Sequence, residues 1–207
     1  MNDNLVELAS VLWEKLKKDA NKQSVTIKSL SNNVVTGKTP SKKHNEFYDK
    51  GTIPFIKIPD MHGKTYIINT SEKLTKVGAN SQSKKYIPKN SIIVSCIGSP
   101  GLVSLTSKES QTNQQINSIL LSQDIIYPIF LELQRLKQYI INLGSGGTTI
   151  NNLNKINFEN ITLNLPSLGV LEKFNKKITP LFIELLNNEY ENEKLSQIKC
   201  NLLNKFF

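Results

Sequence analysis

Two carboxylates are the first residues of this 207-residue chain that could do chemistry. Asp60 follows Pro59, and Glu72 is followed directly by Lys73. Paired carboxylates with a lysine are the groups that a small Mg²⁺-dependent nuclease uses to hold its metal and a phosphate. Such a site needs the lysine two places after the glutamate, because adjacent strand residues point to opposite faces. Asp60 and Glu72 are therefore kept as an alternative, catalytic hypothesis.

Other catalytic signatures are weak or missing. His44 and His62 have no cysteine near them and make a poor zinc site. The sequence contains no P-loop and no nucleophile elbow. It also lacks the glycine-rich loop and the Asn-Pro-Pro-Tyr motif of a methyltransferase. The loop 144–149 could hold a phosphate through backbone N–H groups, or it could be a flexible connector. We expect a chain that is not an enzyme and has no metal or cofactor of its own.

The positive charge of the chain is concentrated in its middle. Residues 23–166 carry 16 basic against 8 acidic residues, 1–22 carry 4 against 4, and 167–207 carry 6 against 5. A basic body between nearly neutral ends is typical of polyanion binding, with DNA the obvious polyanion. The alternative is codon bias in an AT-rich genome, since 25 Lys and 24 Asn accompany one Arg. Its lysines would then be a solvated surface without a partner.

The cysteines and the hydropathy pattern indicate the cellular compartment. Cys96 and Cys200 are far apart and form no C-x-x-C pair, which favours reduced thiols. No apolar segment follows Met1, and no run approaches the roughly 18 apolar residues of a membrane helix. We expect a cytoplasmic protein without membrane contact.

The elements that must position these residues fall into three parts. Residues 3–20 are predicted to form a helix whose apolar positions recur every three or four residues; these positions are Leu5, Leu8, Val11, Leu12 and Leu16, with Trp13 beside them. The middle alternates short β-rich runs with Gly, Pro and Asn, and 124–143 is predicted to be helical. We expect an α+β fold with a curved or barrel-like β-sheet. The predicted units are 1–22, 23–166 and 167–207.

The last part has a coiled-coil-like apolar seam. The seam residues are Leu171, Phe174, Ile178, Leu181, Leu185, Asn188, Asn192, Leu195, Ile198 and Leu202. Pro180 is expected to bend the helix or to break it near Thr179. A stripe of this kind either faces the core of its own domain or pairs with a second helix. Its length makes a dimer contact or partner contact as reasonable as a core position.

Several short motifs occur along the chain in an order that resembles a single family. The motifs are Gly37-Lys-Thr-Pro40, Gly51-Thr-Ile-Pro-Phe-Ile56, Asp60, the ranges 75–79 and 86–94, Gly98, Gly101, Asn113-Gln-Gln115 and the ranges 144–150 and 161–166. In this order they resemble a target recognition domain of the specificity (S) subunit of type I restriction–modification systems. The chain from Leu168 resembles the family's conserved helical region, with Glu172-Lys173 where Glu-Gln is usual. Residues 3–20 resemble the end of its central helical region.

The resemblance implies a DNA-recognition subunit without catalysis of its own. Methyltransferase (M) subunits would methylate adenine with S-adenosylmethionine, and a restriction (R) subunit would cleave DNA with ATP and Mg²⁺. Family members usually carry two recognition domains, so a single domain implies a half-size subunit that homodimerises on a helical scaffold. A methyltransferase-only or type II-like system is an alternative within this function. A coiled-coil assembly protein with codon-biased lysines is an alternative outside it.

Three loops supply the candidate DNA contacts. Amine and amide side chains are the groups that bind phosphates and base edges. The candidates are Lys38, Lys42 and Lys43, then Gln82, Lys84 and Lys85, then Asn113, Gln114 and Gln115. Ordinary bracing of loops is the alternative role for each of them.

Overall fold

The protein is described by a computed structural model that covers residues 2–31, 33–144 and 152–206. Its α-helices are α1 (Asn2–Asp19), α2 (Ile27–Leu30), α3 (Ile58–Met61), α4 (Lys76–Asn80), α5 (Ile126–Arg135), α6 (Lys137–Gly144), α7 (Lys155–Glu159) and α8 (Leu168–Phe206). Its strands are β1 (Gln23–Thr26), β2 (Val34–Thr36), β3 (Ile53–Ile56), β4 (Tyr66–Ile67), β5 (Glu72–Leu74), β6 (Ile92–Ser95), β7 (Val103–Thr106), β8 (Gln111–Thr112), β9 (Ile116–Ile119) and β10 (Thr162–Leu165). Short 3-10 turns occupy Asn45–Phe47 and Ser83–Lys85.

The strands form three open sheets. The largest has the order β2-β9-β6-β7-β4, a smaller one has the order β5-β3-β8, and β1 pairs with β10. Most neighbours are antiparallel, but β3 with β8 and β4 with β7 are parallel. The predicted α+β fold with flanking helices is confirmed. In the described part of the chain the sheets do not close, so the barrel-like form is not reached.

The pairing of β1 with β10 joins the two ends of the predicted 23–166 unit. Gln23 lies opposite Leu165 and Thr26 opposite Thr162. The chain therefore leaves α1 and enters α8 at the same place on the body. The division into units at residues 22 and 166 stays a prediction, because the terminal helices share one core with the sheet.

That core lies between the five-stranded sheet, α5 and the two terminal helices. Trp13 of α1 is 1% exposed, and its ring centroid lies 5.1 Å from that of Phe174 in α8. The predicted apolar face of α1 is partly wrong, because Leu8 and Val11 are exposed while Ala9 and Trp13 are buried. The buried face is set by contact with α8 and α5 rather than by the leucine spacing alone. The predicted helix 124–143 is likewise divided, since α5 ends before α6 begins.

Helix α8 is continuous through Pro180 for 39 residues, about 58 Å at 1.5 Å per residue. The expected break near Thr179 is absent. Pro180 lacks the N–H of the helical ladder, and the Thr179 hydroxyl donates to the Asn175 carbonyl at 2.8 Å one turn earlier. The first half of α8 packs on the body, where Phe182 and Leu185 are fully buried. Despite the length of α8, no helix in the described ranges is apolar enough to cross a membrane.

Candidate nucleic-acid interface

The loop 37–40 is held against the turn that follows β8. The Gly37 N–H donates to the Ile116 carbonyl at 3.1 Å, and the Lys38 N–H donates to the Thr112 carbonyl at 3.0 Å. A Cβ atom on Gly37 would lie 2.2 Å from the Asn113 carbonyl oxygen. Only glycine fits at this position, because it has no Cβ atom. Gly37 therefore allows the loop 37–40 to contact the loop 113–115.

Gln82 joins the second predicted loop to the first. Its Nε2 donates to the Lys38 carbonyl at 2.6 Å and to Gln111 Oε1 at 2.9 Å. Lys85 acts in the same way, because its Nζ donates to the Thr36 carbonyl at 2.9 Å. Both side chains were predicted to contact DNA. In the structure their polar ends fix the backbone around Gly37, and their contact with DNA stays a prediction.

The third loop contains two braces and one exposed amide. Asn113 is buried, its Nδ2 donates to Gln115 Oε1 at 2.9 Å, and its Oδ1 accepts from the Gln115 N–H at 3.2 Å. Gln114 is exposed, and its Oε1 accepts from the Thr39 hydroxyl at 2.7 Å. Asn113 and Gln115 therefore shape the turn, and Gln114 remains at the surface.

Lys42 is engaged with a carboxylate. Its Nζ lies 2.5 Å from Glu72 Oε2 and 3.9 Å from the centroid of the Tyr48 ring. Lys57 Nζ holds the other oxygen, Oε1, at 2.8 Å. The hydrogen bonds from Lys42 and then Lys57 lower the pKa of Glu72. A phosphate would have to compete with Glu72 for the Lys42 ammonium group.

The same contacts remove the nuclease alternative. Asp60 Oδ2 accepts from the Lys57 N–H at 2.9 Å, and this bond caps α3. Asp60 Oδ1 accepts from the Ser71 N–H at 2.9 Å, which connects α3 to the residue just before β5. Glu72 is neutralised by its two lysines. No group of three or more His, Cys, Asp or Glu in the described residues could hold a metal ion. The proposed pair is structural because both carboxylates are already satisfied.

Four predicted lysines are exposed near the converging loops; Lys42 pairs with Glu72, and the other three are Lys38, Lys43 and Lys84. Together with Thr39 and Gln114 these other three lysines form what we call the recognition surface. Bonds between the loops hold its backbone, and the ammonium groups extend from it. A rigid surface that carries lysines and an amide can bind phosphates and present donors to base edges. The predicted phosphate-binding loop 144–149 lies outside the described residues beyond Gly144.

Sequence reasoning missed the residues that brace this surface and those that hold α1. Gln111, which is fully buried, donates from Nε2 to the Ala79 carbonyl at 2.8 Å. Glu132, also fully buried, accepts from Trp13 Nε1 at 3.0 Å and from Lys17 Nζ at 2.5 Å. The available signal for Glu132 was a lone acid within the apolar run of α5. Nothing local indicated Trp13 and Lys17 as partners, whereas Arg135, a third partner, lies only three residues after Glu132.

The predicted seam of α8 divides into a buried and an exposed half. Leu171, Phe174, Ile178 and Leu185 are buried in the chain's own core, with Leu181 partly buried beside them. Asn188 is also buried, whereas Asn192 is exposed. Leu195, Ile198 and Leu202 are 57%, 54% and 51% exposed. The buried half of the seam already packs on the chain's own core. The prediction of a dimer or partner contact therefore now concerns the exposed half, Leu195, Ile198 and Leu202.

Comparison with known proteins places these features in a family. A profile described as "Type I restriction modification DNA specificity domain" matches residues 20–200. The chain is 46% identical over 183 residues to the HindI specificity subunit of Haemophilus influenzae, covering 86% of this chain and 39% of that protein. It is 26% identical over 181 residues to the MjaIX specificity subunit of Methanocaldococcus jannaschii, covering 84% of this chain and 41% of that protein.

Solved structures support the same fold. The S subunit of a type I system from M. genitalium superposes with a TM-score of 0.67 at 18% identity, over 100% of this chain and 53% of that one. The HsdS subunit from Thermoanaerobacter tengcongensis gives a TM-score of 0.58 at 10% identity, over 99% and 52%. The chain thus spans about two fifths of the curated relatives and about half of the solved subunits.

Proposed function

This chain belongs to the family of type I restriction–modification DNA specificity domains, and we propose that it recognises a DNA sequence through the recognition surface of Lys38, Thr39, Lys43, Lys84 and Gln114. One observation carries the proposal. Three loops far apart in sequence are bonded into one lysine-bearing surface on the part of the chain that holds a net charge of +8. Positive charge supplies affinity for phosphates, and a fixed surface is required to read bases in register.

Catalysis in this proposal belongs to partner subunits. M subunits would bind S-adenosylmethionine and methylate adenine at the site that this chain selects. An R subunit would use ATP and Mg²⁺ to cleave DNA, and the whole complex would be cytoplasmic. A methyltransferase-only or type II-like arrangement would use the same recognition surface with different partners.

Duplex DNA binding at several salt concentrations tests the central claim. We expect binding that weakens steeply with salt, because each lysine–phosphate contact releases counterions. Triple replacement of Lys38, Lys43 and Lys84 by alanine should flatten the slope of log K against log salt. Replacement of Lys155, Lys173 and Lys176, three lysines outside the surface, is the matched control. Equal slopes for the two variants would show that DNA binds elsewhere. Cleavage of DNA by the isolated chain with Mg²⁺ would contradict the assignment of catalysis to partners.

We also propose that two copies pair through the exposed half of the α8 seam. Leu195, Ile198 and Leu202 lie on one face by their spacing of three and four, and each is about half exposed in the single chain. Sedimentation analysis of Leu195→Asp with Ile198→Asp tests the contact. The double variant should be monomeric at concentrations where the unchanged chain is a dimer. Gln197→Asp, at an exposed position that lies away from this face of the helix, should remain dimeric. An unchanged chain that is monomeric at tens of micromolar would contradict the proposal.

A further inference from the structure

The terminal helices α1 and α8 run antiparallel, and α8 is longer at the end where α1 begins. Trp13 packs on Phe174, whereas Asn2 and Asp3 share a pocket with Asn188 and residues after it. Residue numbers therefore rise along α1 as they fall along α8. The part of α8 beyond residue 192 extends about 20 Å past the start of α1.

The exposed apolar stripe continues the seam that α1 covers. Leu185 and Asn188 face the chain's own core, and the same spacing leads to Leu195, Ile198 and Leu202. A helix that covered this stripe would lie in line with α1 and run in the same direction. The α8 end of a second copy, packed antiparallel, satisfies both conditions.

A polar pocket, which we call the tail socket, lies where that helix would end. It is lined by Asn2, Asp3, Gly63, Lys64, Asn188, Glu189, Glu191 and Asn192. Asn188 is 8% exposed, and its Nδ2 is a buried donor with no acceptor among the described residues. Asn2 Oδ1 is likewise buried, and it is an acceptor with no donor among the described residues. Unpaired buried polar atoms destabilise a protein, so polar groups that enter the socket would be favoured.

The charges of the socket and of the helix end are complementary. The socket carries Asp3, Glu189 and Glu191 against one cation, Lys64, which pairs with Glu189 at 3.6 Å. After Glu193 the chain has no acidic residue, and its charges are Lys194, Lys199 and Lys205. An acidic socket and a basic helix end on the same chain are self-complementary, as a two-fold interface requires.

We propose that the tail socket receives the C-terminal end of α8 from a second copy, an inference that rests on the proposed dimer. An antiparallel pair centred on Ile198 places Lys205 of the second copy level with Glu191, because both lie seven residues from Ile198. By symmetry each copy inserts one helix end and receives one. The register of the two paired α8 helices is thus set by the tail socket as well as by the apolar stripe.

Cross-linking between two differently labelled chains tests this register. One chain carries Asp3→Cys and the other Lys205→Cys, both with Cys200→Ser, and the mixture is oxidised. We expect a disulfide-linked dimer in the mixture and none from either chain alone. Within one chain Lys205 lies about 20 Å along α8 from the socket, and in the dimer two copies of either cysteine would be separated by about the same distance. Asp3→Cys mixed with Gln197→Cys, which lies about 12 Å from Lys205 along α8, is the matched control.

A charge exchange gives a second readout. Lys205→Glu should weaken dimerisation about fivefold, and Glu191→Lys in the same chain should restore it. Sedimentation separates the two proposals. A dimer that neither cross-links in the mixture nor responds to the exchange would overturn the socket and leave the dimer intact. A monomer would overturn both.

Discussion

Lys17 and Glu132 are 115 residues apart in the sequence, and Lys17 Nζ lies 2.5 Å from Glu132 Oε2 in the core. The same carboxylate accepts from Trp13 Nε1, and its Oε1 accepts from Arg135 at 2.6 Å. Burial alone would raise the pKa of Glu132, but the hydrogen bonds from Arg135, Lys17 and Trp13 outweigh it and lower that pKa. One buried carboxylate therefore fixes α1 on α5 and, through Trp13, against α8.

Glu132→Gln should lower the free energy of unfolding by about 3 kcal/mol, because it leaves the buried Lys17 ammonium with only the half-exposed Glu14 carboxylate as a counter-charge. The folded-state pKa is lowered, so this stabilisation is present above the unfolded pKa of about 4.3 and is lost as the pH falls through the folded value. Urea unfolding at several pH values should show the difference between the two proteins shrinking below about pH 4.3. Glu184→Gln, at an exposed position of α8, should change little. A constant difference down to pH 3 would contradict this account.

The sequence predicted the elements but not this cluster. Spacing of Leu171, Phe174 and Ile178 is enough to predict a helix, because periodicity records which face is buried. Periodicity gave part of the buried face of α1, because Leu5, Leu12 and Leu16 pack against the core, but it did not predict the burial of Lys17. A lysine can be buried when a carboxylate meets it, and that carboxylate is set by the fold and not by neighbours in the sequence.

The loops of the recognition surface show a second limit of prediction from the sequence. The structure brings together the three loops that were selected as candidate DNA contacts, and their contact with DNA stays a prediction. Gln82 and Gln114 have the same side chain in similar loops, yet Gln82 braces a backbone carbonyl and Gln114 is exposed. The difference depends on which tertiary contacts are within reach, and composition and spacing do not record it.

Lys84 and Lys85 should behave differently although they are adjacent. Lys84→Ala should reduce the salt slope of DNA binding by about one and leave stability unchanged, because its ammonium group is exposed. Lys85→Ala should lower the free energy of unfolding by about 1 kcal/mol, because it removes the bond to the Thr36 carbonyl. Salt-dependent fluorescence anisotropy and urea unfolding of both variants check the distinction. Identical behaviour of the two variants would mean that the Lys85 bond has no role.

Gly37→Ala should abolish specific DNA binding. The added Cβ would lie 2.2 Å from the Asn113 carbonyl oxygen, so the loop 37–40 would have to move away from the third loop. Gly169→Ala is the control, because nothing lies within 4 Å of a Cβ at that helical position. Binding to a target duplex and to a scrambled duplex should show loss of discrimination only in the first variant. Unchanged discrimination in Gly37→Ala would show that the contact between the loops is dispensable.

The two cysteines should differ in reactivity. Burial raises the pKa of the Cys96 thiol to about 12, and Asn117 Nδ2 contacts its sulfur at 3.3 Å. Cys200 is exposed on α8. A thiol reagent at pH 8 should label one equivalent in the folded chain and two in urea, and mass mapping should place the first label on Cys200. Rapid labelling of Cys96 in the folded chain would show that the sheet opens around it.

The form of the DNA target follows from the proposed dimer. Two identical recognition surfaces related by a two-fold axis must read the same half-site in opposite orientations, and the paired α8 ends hold them apart. The target should therefore be an interrupted palindrome, with two inverted half-sites around a fixed run of unread base pairs. Deleting seven residues from the exposed end of α8 shortens the antiparallel overlap by about 10 Å. The unread run should then shorten by about three base pairs at ~3.4 Å each, or methylation should be lost, while the half-site stays the same. Methylome sequencing of cells that express the chain with an M subunit measures both features. An asymmetric bipartite motif would show that a different recognition domain supplies the second half-site.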